Sequence, residues 1–159
     1  MPIPAGGTIT AAALQMLDAK PIAVLQQTVT QSVANGAWAV LTMDSEITDP
    51  YNGHSTSSNT SRYVCQYAGW YRITGRAAFA TNSTGSRGSR IHKNGSFIQG
   101  AASLAGAGTL NGISEVSHVL YLAVSDYVEV AGGQNSGGSL STSFAGEAAS
   151  MMYVDWLRS

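Results

Sequence analysis

The sequence predicts an all-β fold, an antiparallel β-sandwich, and three stretches carry that prediction. Gly69-Trp70-Tyr71-Arg72-Ile73 opens a run with the period-two patterning of a strand. Arg90-Ile91-His92-Lys93-Asn94-Gly95 turns a hairpin, because Asn-Gly accepts the positive φ that both central positions of a type I′ turn need. Residues 119–130 lead through apolar sequence toward a closing strand at 151–157. Short strands in this order, separated by turns, are what two packed antiparallel sheets require.

Taken from the N-terminus, residues 8–18 read as the chain's one helix. Thr8 or Thr10 supplies the cap, and Ile9, Ala13 and Leu17 recur four apart. Such a helix is too short to be stable alone. A Pro- and Gly-rich leader precedes it, and Lys20-Pro21 ends it, since the proline holds Lys20 extended. Residues 1–20 are therefore expected to form an anchoring arm outside the main fold. Its apolar side chains Ile3, Ile9, Leu14 and Leu17 would dock on a neighbouring subunit or a larger particle. Residues 21–159 form the sandwich domain.

Within that domain strands are expected over residues 24–33, 38–43, 62–66 and 69–80. Others flank the Asn94-Gly95 turn at 89–93 and 96–99, and lie at 113–124, 127–131 and 148–157. Turn formers and small polar residues make 49–60 and 81–86 exposed loops. The Gly/Ala-rich segment 101–112 is expected to cross one end of the fold as a loop, and 132–143 reads as a flexible polar loop.

Composition narrows the partners. A chain of 159 residues suits one domain with one core. Only 11% of residues are charged and the formal net charge is -1, which argues against nucleic acid and leaves shape and apolar contact to choose partners. So little surface charge is a solubility risk for a free monomer, and self-association relieves it. The single Cys65, in Tyr63-Val64-Cys65-Gln66, has no intrachain partner for a disulfide and reads as a buried small hydrophobe. Residues 1–7 lack the basic region and apolar core of a signal peptide, and no apolar stretch reaches the length of a membrane span. Synthesis in the cytoplasm without membrane insertion is the expectation.

No catalytic constellation is visible. His54, His92 and His118 stand in no nucleophile motif and in no metal-ligand spacing, so neither catalytic nor cofactor-binding residues are assigned. Asp44, Glu46 and Asp49, near Asn52, are the one set of oxygen ligands that could hold calcium, although their spacing is not that of an EF-hand. Trp70 and Trp156 are expected in the core, while Trp38 is open between the core and a sugar-stacking platform. The exposed binding surface is expected at Tyr51, Asn52 and His54 on one loop and at Asn82 and Arg87 on the next.

Several stretches together carry a family resemblance. They are Ala68-Gly69-Trp70-Tyr71 after a polar loop, the Lys93-Asn94-Gly95 hairpin, Val119-Leu120-Tyr121-Leu122, Asp126-Tyr127-Val128-Glu129-Val130 and the final strand at 151–157. Residues 22–159 thereby resemble the complement-q globular-head and tumour-necrosis-factor-like jelly-roll superfamily. They depart from it at Ser125-Asp126, where the family has a Gly-Asp turn, and at Tyr153-Val154-Asp155-Trp156-Leu157, which replaces a Phe-Gly-containing strand. The resemblance implies a compact homotrimer with aromatic and aliphatic side chains meeting on a threefold axis. The leader, with Ile9-Thr10-Ala11-Ala12-Ala13-Leu14, looks like the N-termini of structural proteins from bacteriophages of actinobacteria.

Together these resemblances imply a non-enzymatic, homotrimeric virion structural protein. It would decorate or stabilise the particle surface and contact other virion proteins through its arm. The alternative is a receptor-binding adhesion head on a tail or fibre, recognising a host surface glycan or protein.

Overall fold

The computed structural model describes Ala11 and residues 20–159, so the expected arm, with Ile3, Ile9, Leu14 and Leu17, lies outside the described residues. In chain order the strands are β1 (Ile22–Gln26), β2 (Ser32–Val33), β3 (Trp38–Val40), β4 (Ser45–Thr48), β5 (Arg62–Val64), β6 (Gly69–Phe79) and β7 (Asn82–Lys93). Then follow β8 (Ser96–Gly108), β9 (Gly112–Leu122), β10 (Tyr127–Gln134), β11 (Leu140–Ser141), β12 (Phe144–Ala145), β13 (Ala148–Ala149) and β14 (Met151–Arg158). They build two main sheets. One has the order β4-β1-β14-β6-β9; the other has the order β3-β10-β7-β8, with β5 also paired to β10. Every pairing is antiparallel, and neighbours within a sheet are mostly distant in sequence, as in a jelly roll.

Alternation along β6 shows how the sequence makes this sandwich. Tyr71, Ile73 and Ala77 point into the interior and are fully buried, while Trp70 and Arg72 point out. The first sheet contributes Leu25, Tyr71, Ile73, Leu122, Met152 and Val154 to the core. The second sheet, with the segment following β3, contributes Leu41, Met43, Tyr63, Ile91, Val128 and Val130. Gly75 faces the same interior, where a Cβ would lie 2.7 Å from Val130 Cγ2, so the glycine sets how closely the sheets approach. The Asn94-Gly95 turn has the expected positive φ at both residues, 50° and 80°.

The structure corrects several expected boundaries. The strand expected over 24–33 breaks after Gln26: the Gln27 amide donates to the Ser150 carbonyl at 3.0 Å, and Asp44 captures the Thr28 amide and hydroxyl. The polar segment 82–86 opens β7, and most of the Gly/Ala-rich segment 101–112 belongs to β8. Ser86, Arg87, Gly88, Ser89 and Arg90 pair in register with Gly106, Ala105, Leu104, Ser103 and Ala102. Here backbone pairing overrides a composition that reads as loop. β10 likewise runs on to Gln134, and β4 had no expected counterpart. No helix among the described residues is long and apolar enough to cross a membrane.

Candidate functional site

Strand phase places one set of side chains on the outward face of the β4-β1-β14-β6-β9 sheet. Register pairs Trp70 with Tyr121, Arg72 with Val119, Thr74 with Ser117 and Arg76 with Glu115. The face has two chemically distinct halves. At one end Trp70 and Tyr121 meet edge to face at 5.9 Å, and Trp70, Val119, Tyr121 and Ile22 stay 39%, 45%, 47% and 41% exposed. At the other end polar groups satisfy each other: Thr74 donates to Ser117 at 2.9 Å, and Arg76 pairs with Glu115 at 2.9 Å. Arg72 and Asp155, partners in the register of β6 and β14, carry opposite charges, yet neither joins an ion pair among the described residues. A clustered aromatic and aliphatic surface rimmed by polar groups is the signature of an interface.

Trp70, expected in the core, instead lies on the outward face, because Gly69 and Tyr71 take the inward phase. A Cβ at Gly69 would sit 2.5 Å from Trp156 Nε1, so it is Trp156 that occupies the inward space, half-buried against the core.

The loop between β4 and β5 is held from within. The His54 amide donates to Asp49 Oδ2 at 2.7 Å, and the buried ring lies with Nδ1 2.7 Å from the Arg62 carbonyl and Nε2 2.7 Å from the Met43 carbonyl. His54, expected on an exposed binding loop, is instead a clamp that fastens the loop to the sandwich. Gly53 lies on the Tyr63 ring, Tyr51 is half-buried in an edge contact with Tyr67 at 5.0 Å, and Asn52 is exposed at the turn with φ 52°.

Arg87 is likewise not on an exposed loop. It is 1% exposed, and its guanidinium donates to the carbonyls of Thr84, Ser86 and Asn82, each at 3.0 Å. The inward phase of β7 puts it there, and burial pushes its pKa down. Asn82 is half-buried and accepts from the Thr84 amide. Of the five residues expected on exposed loops, Asn52 is the exposed one, Tyr51 and Asn82 are half-buried, and His54 and Arg87 are buried.

The three carboxylates considered for calcium have separate tasks. Asp44 holds Thr28, Asp49 caps the turn at His54, and Glu46 is exposed on β4. Among the described residues no group of three or more His, Cys, Asp or Glu side chains is placed to hold a metal. The buried Cys65 thiol donates to the Tyr67 carbonyl at 3.1 Å, and burial pushes its pKa up, away from nucleophilic reactivity. His92 is buried beside Arg90 and Glu129, and desolvation pushes its pKa down.

A second outward surface, on the β3-β10-β7-β8 sheet, includes Trp38, which the sequence left open between the core and a sugar-stacking platform. Trp38 of β3 lies across Gly88 of β7 and Gly133 of β10, where a Cβ would come within 2.5 and 2.6 Å of its ring. Arg90 of β7 stands over the same ring. Only cross-strand register brings Trp38, Arg90 and Phe97 together, so no linear motif could have found them. By contrast, Trp70 and Tyr121 sit in the outward phase of strands that the sequence did identify.

Comparison with solved structures supplies the fold. The globular domain of the zebrafish complement 1qA protein superposes with a TM-score of 0.63 at 12% identity, covering 88% of this chain and 100% of that one. Murine APRIL at pH 5.0 gives 0.63 at 11% identity, covering 85% and 98%. Eiger TNF from S. frugiperda gives 0.58 at 13% identity, covering 88% and 96%. No family model matches the sequence, and neither does any curated protein. At these identities the likeness is one of fold, the jelly roll shared by complement-q heads and tumour-necrosis-factor-like domains.

Proposed function

We propose that this chain is a non-enzymatic structural module that works as a homotrimer on the surface of a bacteriophage particle, decorating or stabilising it. The observation that carries the homotrimer is the outward face of the β4-β1-β14-β6-β9 sheet. Trp70, Val119, Tyr121 and Ile22 would leave water there, and the unpaired Arg72 and Asp155 offer complementary charges to a second copy. A closed cyclic assembly uses such a face without leaving an open end. The fold likeness to complement-q and tumour-necrosis-factor domains supports a protein whose work is association rather than chemistry. The particle context is supported by the phage-like leader in the sequence, with residues 1–20 as the anchor to other virion proteins. Production of the full chain and of a chain starting at residue 21 in phage-infected cells tests this. Decoration predicts that the shorter chain still self-associates but no longer co-sediments with particles. Equal co-sedimentation of both would contradict the anchoring role.

A second reading, an adhesion head that recognises a host surface glycan or protein, is favoured by one specific observation. The β3-β10-β7-β8 sheet presents Trp38, Arg90, Phe97 and Leu104 outward, on the face opposite the proposed trimer surface.

A further inference from the structure

Arg90 projects from β7 between two aromatic rings. Its guanidinium carbon is 4.2 Å from the Trp38 ring centroid and 5.6 Å from that of Phe97. Stacking of this kind fixes a guanidinium in place while leaving its N–H edge free to donate. Among the described residues Arg90 joins no ion pair, and its Nε is buried without a hydrogen-bond partner. The nearest carboxylate in register is committed elsewhere: Glu129 Oε1 accepts from Ser61 at 2.8 Å and from Arg62 at 3.1 Å. A preorganised cation without an internal counter-charge is set up to receive an external anion.

Beside this stack lies a shallow cleft of about 330 Å³, lined by Gly36, Ala37, Trp38, Gly88, Leu104 and Asn135. That volume is at the lower end of small-molecule sites. Its walls are largely apolar, and Leu104 is 72% exposed and Phe97 66% exposed along the same face. At its polar rim Asn135 accepts the Ser86 amide through Oδ1, and its Nδ2 makes no hydrogen bond within the described residues. Trp38 defines the floor because Gly88 and Gly133 allow it to lie flat.

We infer that this face binds a carboxylate-bearing sugar, with the carboxylate on the N–H edge of Arg90 and the pyranose ring in the cleft along Trp38 and Leu104. Flat apolar walls suit the C–H face of a sugar ring, whereas a bare phosphate would gain nothing from them. An acidic peptide would extend along an open strand edge, and the cleft lies over the face of the sheet. The inference deepens the adhesion-head reading and rests on it, and it is independent of trimerisation through the opposite sheet.

Calorimetric titration of the full-length protein tests it, with sialyllactose, a glucuronic-acid disaccharide, lactose and a poly-glutamate peptide as probes. At least one acidic sugar is expected to bind, and lactose and the peptide to bind at least about tenfold more weakly. Arg90→Lys keeps the charge but loses the planar fork, and is expected to weaken the acidic sugar about tenfold with the melting temperature unchanged. Leu104→Ala, at an exposed position, provides a second variant that leaves the fold intact and also weakens binding. No acidic sugar bound, equal binding of lactose or peptide, or full affinity in Arg90→Lys overturns the inference. A trimer that binds no sugar sinks the sugar site while leaving the trimer intact, and a monomer that binds it does the reverse.

Discussion

Asp126 joins two turns that meet at one end of the molecule. Its carboxylate pairs with Lys93 at 2.8 Å, accepts from the Asn94 side chain at 2.8 Å and takes the Ala123 amide at 2.9 Å. The Lys93 contact, with the bonds from Asn94 and Ala123, holds its pKa down to about 2. A depressed folded value means the unfolded chain takes up the proton first as pH falls. The stabilisation is therefore complete above the ordinary aspartate range near 4 and is lost as pH drops toward 2. Asp126→Asn is expected to lower stability near neutral pH by about 1 kcal/mol, as befits a partly exposed pair, and to flatten the acid limb of the stability curve. Urea unfolding at stepped pH reads both effects, and an unchanged acid limb would remove Asp126 from this role. Cys65 makes the opposite kind of prediction. Buried and shifted up, it should resist a thiol reagent in the native protein and react at once in denaturant, and rapid native labelling would contradict its placement.

At the scale of the strand, Gly75 decides the spacing between the sheets. Gly75→Ala would place a methyl 2.7 Å from the stiff Val130 side chain, and a loss of about 1 to 3 kcal/mol in chemical denaturation is expected. No loss would mean that the sheets part without strain at that point. The strands most legible in the sequence were those with strong alternation, such as β6, β9 and β14, together with the hairpin turn at Asn94-Gly95. β7 and β8 were read too short because their outer halves are Ser, Gly and Ala. Those residues fit a strand only when a partner strand lies alongside, and a partner is not written in local sequence. The expected exposure of Arg87 and His54 did not hold for a related reason. Arg87 and His54 are polar and flanked by turn residues, yet the fold buries both, Arg87 against carbonyls of its own strand and His54 against the Met43 and Arg62 carbonyls.

For the whole molecule, the jelly roll was legible and the two outward faces proposed to work were only partly so. Strand phase could have placed Trp70 and Tyr121 outward, since Tyr71 and Leu120 claim the interior, but the juxtaposition of Trp38, Arg90 and Phe97 depends on register across three strands. The two outward faces are proposed to divide the labour: the β4-β1-β14-β6-β9 sheet joins copies of the chain, and the β3-β10-β7-β8 sheet meets a ligand. The first of these is the central claim. Light scattering on the purified full-length chain, alongside Tyr121→Glu, tests it most directly, because a charge buried between copies without a partner is strongly unfavourable. The account predicts a trimer mass for the native chain and a monomer mass for a variant that keeps its melting transition. A monomeric native chain, or a variant that stays trimeric, would contradict it.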